Sequence, residues 1–210
     1  MANHTFLYDD ACPMCQAYTG AFKHLKWSDR KAFSSLKEKE WPKLDLDRGR
    51  HEIPLLDKES GEIRYGLDAM TTVMANAMPA LRPLLRSRLL LAILKPLYWL
   101  ITYNRRVIAG THAPATGIDC APDYHRGWRW TYVILAFSAA ALIGLPISFW
   151  GIAGLSLIVG LMLSSEQLTY LGHLSTVALG TACLYALIPG WLGITATCGF
   201  VIWQLWHRLR

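Results

Sequence analysis

Between Thr131 and Trp206 the chain runs for 76 residues with one formal charge, Glu166. So long an apolar stretch limits the fold more than anything else in the sequence. A membrane-crossing helix takes about 20 apolar residues, and the stretch divides best into an all-α transmembrane bundle of about four short helices. They are expected near Trp130–Leu145, Phe149–Ser164, Leu168–Leu187 and Trp191–Trp206. Gly144-Leu145-Pro146, Ser164-Ser165-Glu166 and Pro189-Gly190 supply the breaks. Three longer spans are the competing division. Basic residues flank the stretch at Arg126 and Arg129 and again at Arg208 and Arg210, which favours an even number of crossings. Trp128, Trp130, Trp203 and Trp206 then mark one interface, and Trp150 and Trp191 the other. The N-terminus carries no basic segment followed by an apolar run, so no signal peptide is expected. The expectation is a multi-pass protein of a prokaryotic plasma (inner) membrane, with its N-terminal domain and C-terminus cytoplasmic.

Upstream the charge is distributed differently. Residues 1–68 hold 11 basic and 12 acidic side chains, whereas residues 69–130 hold 8 basic and 2 acidic ones. The expected organisation is a head over 1–122, a basic juxtamembrane linker over 123–130, the membrane domain over 131–206 and a basic cytoplasmic tail over 207–210. Within the head, a basic amphipathic helix is expected at about 83–107. Its apolar core, Leu89–Tyr103, is interrupted by Lys95-Pro96 and flanked by Arg86, Arg88, Arg105 and Arg106. Such a segment either lies on a membrane surface with its cations near anionic lipid headgroups or packs as the last helix of the head. Nucleic acid is not an expected partner, because the positive charge abuts an apolar tail. Five cysteines, Cys12, Cys15, Cys120, Cys183 and Cys198, are too few and too scattered for a secreted disulfide scaffold.

The chemistry gathers near the N-terminus. Thr5-Phe6-Leu7-Tyr8 reads as a short buried strand, and Pro13 opens a helix to about Leu25 with Ala17, Ala21, Phe22 and Leu25 on its apolar face. Between them lies Asp9-Asp10-Ala11-Cys12-Pro13-Met14-Cys15. The N–H groups and dipole of a first helical turn favour a thiolate over a thiol, and cysteines so placed have lowered pKa values. Pro13 suits the first helical position, where its missing N–H costs nothing. The i, i+3 spacing sets Cys15 behind Cys12, so Cys12 would attack and Cys15 would resolve the mixed disulfide. Metal binding is the other use of Cys-x-x-Cys. Structural zinc wants a second ligand pair, which is not found, and haem attachment wants His where Gln16 stands. Two-coordinate Cu(I) stays open.

Downstream, Lys31–Leu36 suggests a second strand, followed by a polar helical stretch to about Asp47. His51–Asp57 and Glu62–Tyr65 suggest a hairpin, and Gly66–Met78 a helix with Leu67, Met70, Val73, Met74 and Ala77 on one side. This order is that of an α/β thioredoxin-like head: a β-α-β-β-α core plus an extra C-terminal helix. In such folds a cis-proline opens the third strand opposite the cysteines, and Pro54 holds the corresponding place. An ordinary trans proline is the alternative reading.

Leu7-Tyr8-Asp9-Asp10-Ala11-Cys12-Pro13-Met14-Cys15 resembles the signature of the DCC (Asp-Cys-Cys) family of thioredoxin-like thiol-disulfide oxidoreductases. The likeness continues through Leu56-Asp57, Gly61, Tyr65-Gly66-Leu67-Asp68-Ala69, Leu97-Tyr98 and Tyr103-Asn104-Arg105, towards Cys120. The resemblance implies Asp9 as the family's acidic residue and Cys12 and Cys15 as the redox pair; Asn104 and Arg105 match without an assigned role. Asp9 would accept a proton from Cys15 or cap the helix start. Asp10 replaces the usual glycine of the family, and a second carboxylate near Cys12 would oppose its ionisation.

The expected activity is thiol-disulfide exchange with protein or small-molecule thiols and disulfides, at a membrane contacted through residues 131–206, with no cofactor and no metal. The alternative is a membrane-recruited Cu(I)-binding or partner-docking module without redox turnover. Cys183 and Cys198 fall at similar depth on the last two expected helices. They read as a membrane redox pair or as small apolar side chains in a helix interface. His173 reads as a ligand or relay, or as a residue partnered near the interface.

Overall fold

The structure is a computed structural model, and it describes residues 3–36, 44–111, 122–144, 151, 158, 167–188 and 190–209. They belong to two compact units. One takes the described residues up to Arg105 with Pro122 and Asp123; the other takes Arg106–Thr111 and the described residues from Tyr124 onward.

In the first unit β1 (His4–Tyr8) is central. Its pleat sends Phe6 to a core with Ile53, Leu55, Ala69 and Val73, and Leu7 to the other face against Phe33. The helix α1 (Pro13–His24) links β1 to β2 (Asp29–Ala32). A short α2 (Leu46–His51) precedes the hairpin β3 (Pro54–Asp57) and β4 (Ile63–Tyr65), and α3 (Gly66–Ala77) follows. A one-turn α4 (Arg82–Leu85) leads into the long α5 (Arg88–Ala109), of which the residues up to Arg105 belong to this unit. The sheet order is β2-β1-β3-β4. The β1–β2 pair is parallel, with Phe6 opposite Arg30, and the other pairs are antiparallel, with Phe6 opposite Leu55 and Leu55 opposite Arg64. This mixed sheet with its helices fits a thioredoxin-like head.

Several details differ from expectation, each for a local reason. The second strand ends at Ala32, because Phe33 turns inward in a 3-10 turn to pack on Leu7. Asp45 accepts the Arg48 N–H at 2.9 Å and starts a helix there. His51 therefore closes α2 instead of opening a strand. Residues 37–43, where that helix was expected to run, lie outside the described residues. The buried side of α1 is Cys15, Tyr18, Thr19 and Phe22, while Ala17, Ala21 and Leu25 are exposed. Thr19 joins that side because its hydroxyl donates to the Cys15 carbonyl at 2.6 Å. The described residues contain no cis peptide bond, so Pro54 is trans. The expected helix over 83–107 is two helices, α4 and α5.

The second unit contains α6 (Arg126–Ile143), α7 (Gln167–Leu187) and α8 (Trp191–Leu209). Three of the four expected spans correspond to these helices; the span at 149–164 falls outside the described residues, apart from 151 and 158. Left-handed Gly144 (φ 95°) ends α6. Among the described residues, α7 is the helix long and apolar enough to cross a membrane. The helices meet through small side chains. Ala140, Ala178 and Ala182 form a cluster with Phe137 against it. A Cβ on Gly180 would lie 2.8 Å from the Phe200 ring. Large apolar residues such as Ile134, Leu135, Leu142, Leu187, Ile194 and Ile202 face outward.

Two basic segments are not free. The helix α6 already begins at Arg126, inside the stretch expected to be a linker, and Arg129 is buried. The helix α8 continues to Leu209, and Arg208 donates to the Val107 and Ile108 carbonyls, to Gln204 and to His173 Nδ1. Arg208 is thus spent on the end of α5, and His173 has its partner there.

Candidate active site at the first turn of α1

Cys12 is the N-cap of α1, with extended backbone (φ −97°, ψ 111°), and Pro13 follows at the first helical position. The strand-to-helix turn is held by Asp9, whose carboxylate accepts the Ala11 N–H at 2.8 Å and whose carbonyl accepts the Cys12 N–H at 3.3 Å. Gln16 reaches back to the Asp10 carbonyl, and Asp10 accepts the Ser34 hydroxyl at 2.7 Å. Both carboxylates are therefore engaged, that of Asp9 within the loop and that of Asp10 by the turn after β2. Asp9 shapes the turn, while the cap position belongs to Cys12 itself.

The two thiols interact. Cys15 donates its S–H toward Cys12, and this is the largest cause lowering the Cys12 pKa from 9.0 to about 6. Burial works against it. The Cys15 backbone N–H lowers the value further without making a formal capping hydrogen bond, and so does the positive field of Arg105. Asp9 raises it. Cys15 moves strongly upward, because its proton is held by the Cys12 sulfur and because it is buried. Tyr18 donates its hydroxyl to the Cys15 sulfur across 3.6 Å, and with Arg105 it favours the Cys15 thiolate. The pair is therefore asymmetric, one sulfur ionised and the other protonated. Relative exposure is 7% at Cys12 and 5% at Cys15, so the Cys12 sulfur is more enclosed than a freely reachable thiolate. Exposed Asp10, Ala11 and Pro13 flank it.

Arg105 comes to the site on α5. It donates to the Arg50 carbonyl at 3.1 Å, which fixes its guanidinium near the thiols. That placement removes it from the set of cations expected to face lipid. Its neighbour Asn104 is fully buried and donates to the Leu100 carbonyl at 2.8 Å. Tyr98 is half-buried, and loss of water around it pushes its hydroxyl up to about 12. Gly66 has φ +59°, and a Cβ there would lie 3.1 Å from the Tyr98 hydroxyl and 3.2 Å from Glu52. The Tyr65-Gly66 and Leu97-Tyr98 motifs are thus two sides of one packing contact between α3 and α5. Pro54 is paired with Tyr65 and packs against Gly49 of α2. Cys183 and Cys198 are free thiols on exposed faces of α7 and α8; Cys120 lies outside the described residues.

Tyr18 is the member of the site that sequence reasoning missed. Its signal was the i+3 spacing from Cys15, the same spacing that joins the two cysteines.

A hydrogen-bonded Cys-x-x-Cys at the first turn of α1, beside a mixed β2-β1-β3-β4 sheet, defines a thioredoxin-like dithiol protein. The chain matches the model of the DCC1-like thiol-disulfide oxidoreductases over residues 6–111. It belongs to that family, and its activity is that of an oxidoreductase. No curated protein and no solved structure matches the chain.

Proposed function

We propose that the chain is a membrane-anchored thiol-disulfide oxidoreductase in which Cys12 attacks and Cys15 resolves. The observation that carries this reading is the S–H donation from Cys15 to Cys12, which divides the two sulfurs into a nucleophile and a proton-holding partner. The Cys12 thiolate attacks one sulfur of a substrate disulfide. That S–S bond breaks, a Cys12–substrate disulfide forms, and the departing thiolate takes up a proton. Cys12 then carries no charge, so the main cause holding the proton on Cys15 disappears, while Tyr18 and Arg105 still favour its thiolate. Cys15 gives up its proton and attacks the Cys12 sulfur. The second substrate thiol leaves, the Cys12–Cys15 disulfide remains, and the substrate has gained two electrons. The steps run in reverse for a dithiol substrate. A protein or small-molecule disulfide is the substrate class.

Anchoring rests on the inverted character of the second unit. Ala136, Ala140, Gly172, Ser175 and Ala178 are buried between helices, while Ile134, Leu142, Leu187 and Ile202 are exposed. Small residues inside and large apolar ones outside is how helices pack in lipid. A bundle of about four spans, with the head and both termini on the cytoplasmic side, follows from the charge and Trp distribution of the sequence.

The test is covalent trapping in membranes. Cys15→Ser is expected to accumulate a mixed disulfide through Cys12, and Cys12→Ser is not. Equal trapping by both variants, or trapping by Cys12→Ser alone, would reverse the assignment.

A further inference from the structure

The helix α5 has two characters along its length. Towards its C-terminal end Thr102, Asn104 and Val107 are buried. Further back, Leu89, Ile93, Leu97 and Ile101 are 73, 60, 49 and 40% exposed. These four recur every four residues, a step that keeps them in one slowly drifting stripe on a helix. Leu81 and Leu84, just before α5, are exposed as well. Six large aliphatic side chains in one stretch of 21 residues therefore face outward. A patch of this kind marks an interaction surface.

The charges nearby identify the partner. Arg82, Arg86, Arg88 and Lys95 are all exposed and accompany the stripe. The sequence has no Asp or Glu from residue 69 to residue 118. A protein groove that accepts four aliphatic side chains gives no reason to exclude every acidic residue around them. An anionic bilayer surface does, since its headgroups attract each nearby cation and its acyl boundary takes up the apolar side. The same chain carries α7, long and apolar enough to cross a membrane. Arg105 and Arg106 are not needed for this surface; Arg105 serves the thiol site. We infer that α4 and the first half of α5 lie on an anionic lipid surface, with the Leu89–Ile93–Leu97–Ile101 stripe in the acyl boundary and Arg82, Arg86, Arg88 and Lys95 at the headgroups. The inference is separate from the thiol chemistry and adds a contact to the anchoring proposed above.

The experiment uses the full chain in nanodiscs, with the photo-reactive amino acid benzoylphenylalanine placed singly at Ile93, at Leu97, at Glu59 in the β3–β4 turn or at Ile202 in α8. After illumination, mass spectrometry separates lipid adducts from protein adducts. Lipid adducts are expected at Ile93 and Leu97 in discs containing phosphatidylglycerol and not at Glu59. Their yield should fall several-fold in discs of phosphatidylcholine alone, and likewise when Arg82, Arg86, Arg88 and Lys95 are all replaced by Gln. Adducts at Ile93 and Leu97 that are solely to protein, within the chain or to another copy, would overturn the inference. Equal yields with and without anionic lipid would also overturn it. The Ile202 probe distinguishes the two readings. Lipid adducts there with none at Ile93 and Leu97 sink this inference and leave the anchor standing; none at any position sinks both. An unchanged pH profile for Cys12 alkylation in each variant shows that the head is still folded.

Discussion

Replacing Cys15 with Ala removes the S–H donor that does most to ionise Cys12, and it leaves the backbone amide of residue 15 in place. The structure sets the scale. Cys12 moves from 9.0 to about 6, a difference of about 4 kcal/mol between protonation states. At pH 7 that places about nine-tenths of Cys12 as thiolate, against about one-hundredth at the unshifted value. In Cys15→Ala, Arg105 and the residue-15 amide remain to oppose burial and Asp9. The Cys12 midpoint is therefore expected to rise past about 7.5, with the thiolate fraction at pH 7 falling below about a quarter. Cys15→Ser keeps a hydroxyl donor and should stay within about one unit of the native chain. The assay is the rate of iodoacetamide alkylation against pH, read by mass on the peptide that contains Cys12. Limited exposure of Cys12 scales the whole rate and leaves the midpoint unmoved. A Cys15→Ala midpoint that stays near 6 would show that the helix terminus and Arg105 suffice, and the two-sulfur argument would fail.

The other predictions concern the same site and its frame. Arg105→Met should raise the Cys12 midpoint by less than Cys15→Ala does, and Arg105→Lys should partly restore it; the alkylation profile reads both. Because Cys12 is ionised above about pH 6 while Cys15 keeps its proton, reducing the disulfide takes up one proton there and two below. The reduction potential should thus fall by about 59 mV per pH unit below pH 6 and by about 30 mV per unit above it; one unbroken slope from pH 5 to pH 8 would contradict the ionised Cys12. Gly66→Ala forces a Cβ into the left-handed region and against Tyr98 and Glu52, which should cost about 1–3 kcal/mol and lower the unfolding temperature of the purified chain.

The two thiols of the candidate site were legible because their setting is local. A strand, a Cys-Pro-x-Cys turn and a helix place the first sulfur at an N-cap whatever the rest of the head does. The β3–β4 hairpin was equally legible from its turn chemistry at Lys58-Glu59-Ser60-Gly61. What the sequence hid depends on contacts made far along the chain. Arg105 could be matched as a motif residue, but its role appears only when α5 returns it to the first turn of α1. The buried side of α1 was misread because Thr19 and Cys15 do not look apolar, and Thr19 satisfies its hydroxyl on the helix backbone. Arg208 looked like a free tail cation until its contacts with Val107 and Ile108 were visible. Pro54 held the expected place in the order of elements, yet order alone does not choose a peptide isomer.

The most direct measurement poises the full chain in glutathione buffers of defined potential, blocks free thiols and weighs the peptide spanning Cys12 to Cys15. The account predicts that this peptide takes up two blocking groups when reduced and none when oxidised, that reduction restores both, and that it passes between the two states along a single two-electron curve. A peptide that keeps both thiols at every potential, or that oxidises without return, would contradict it.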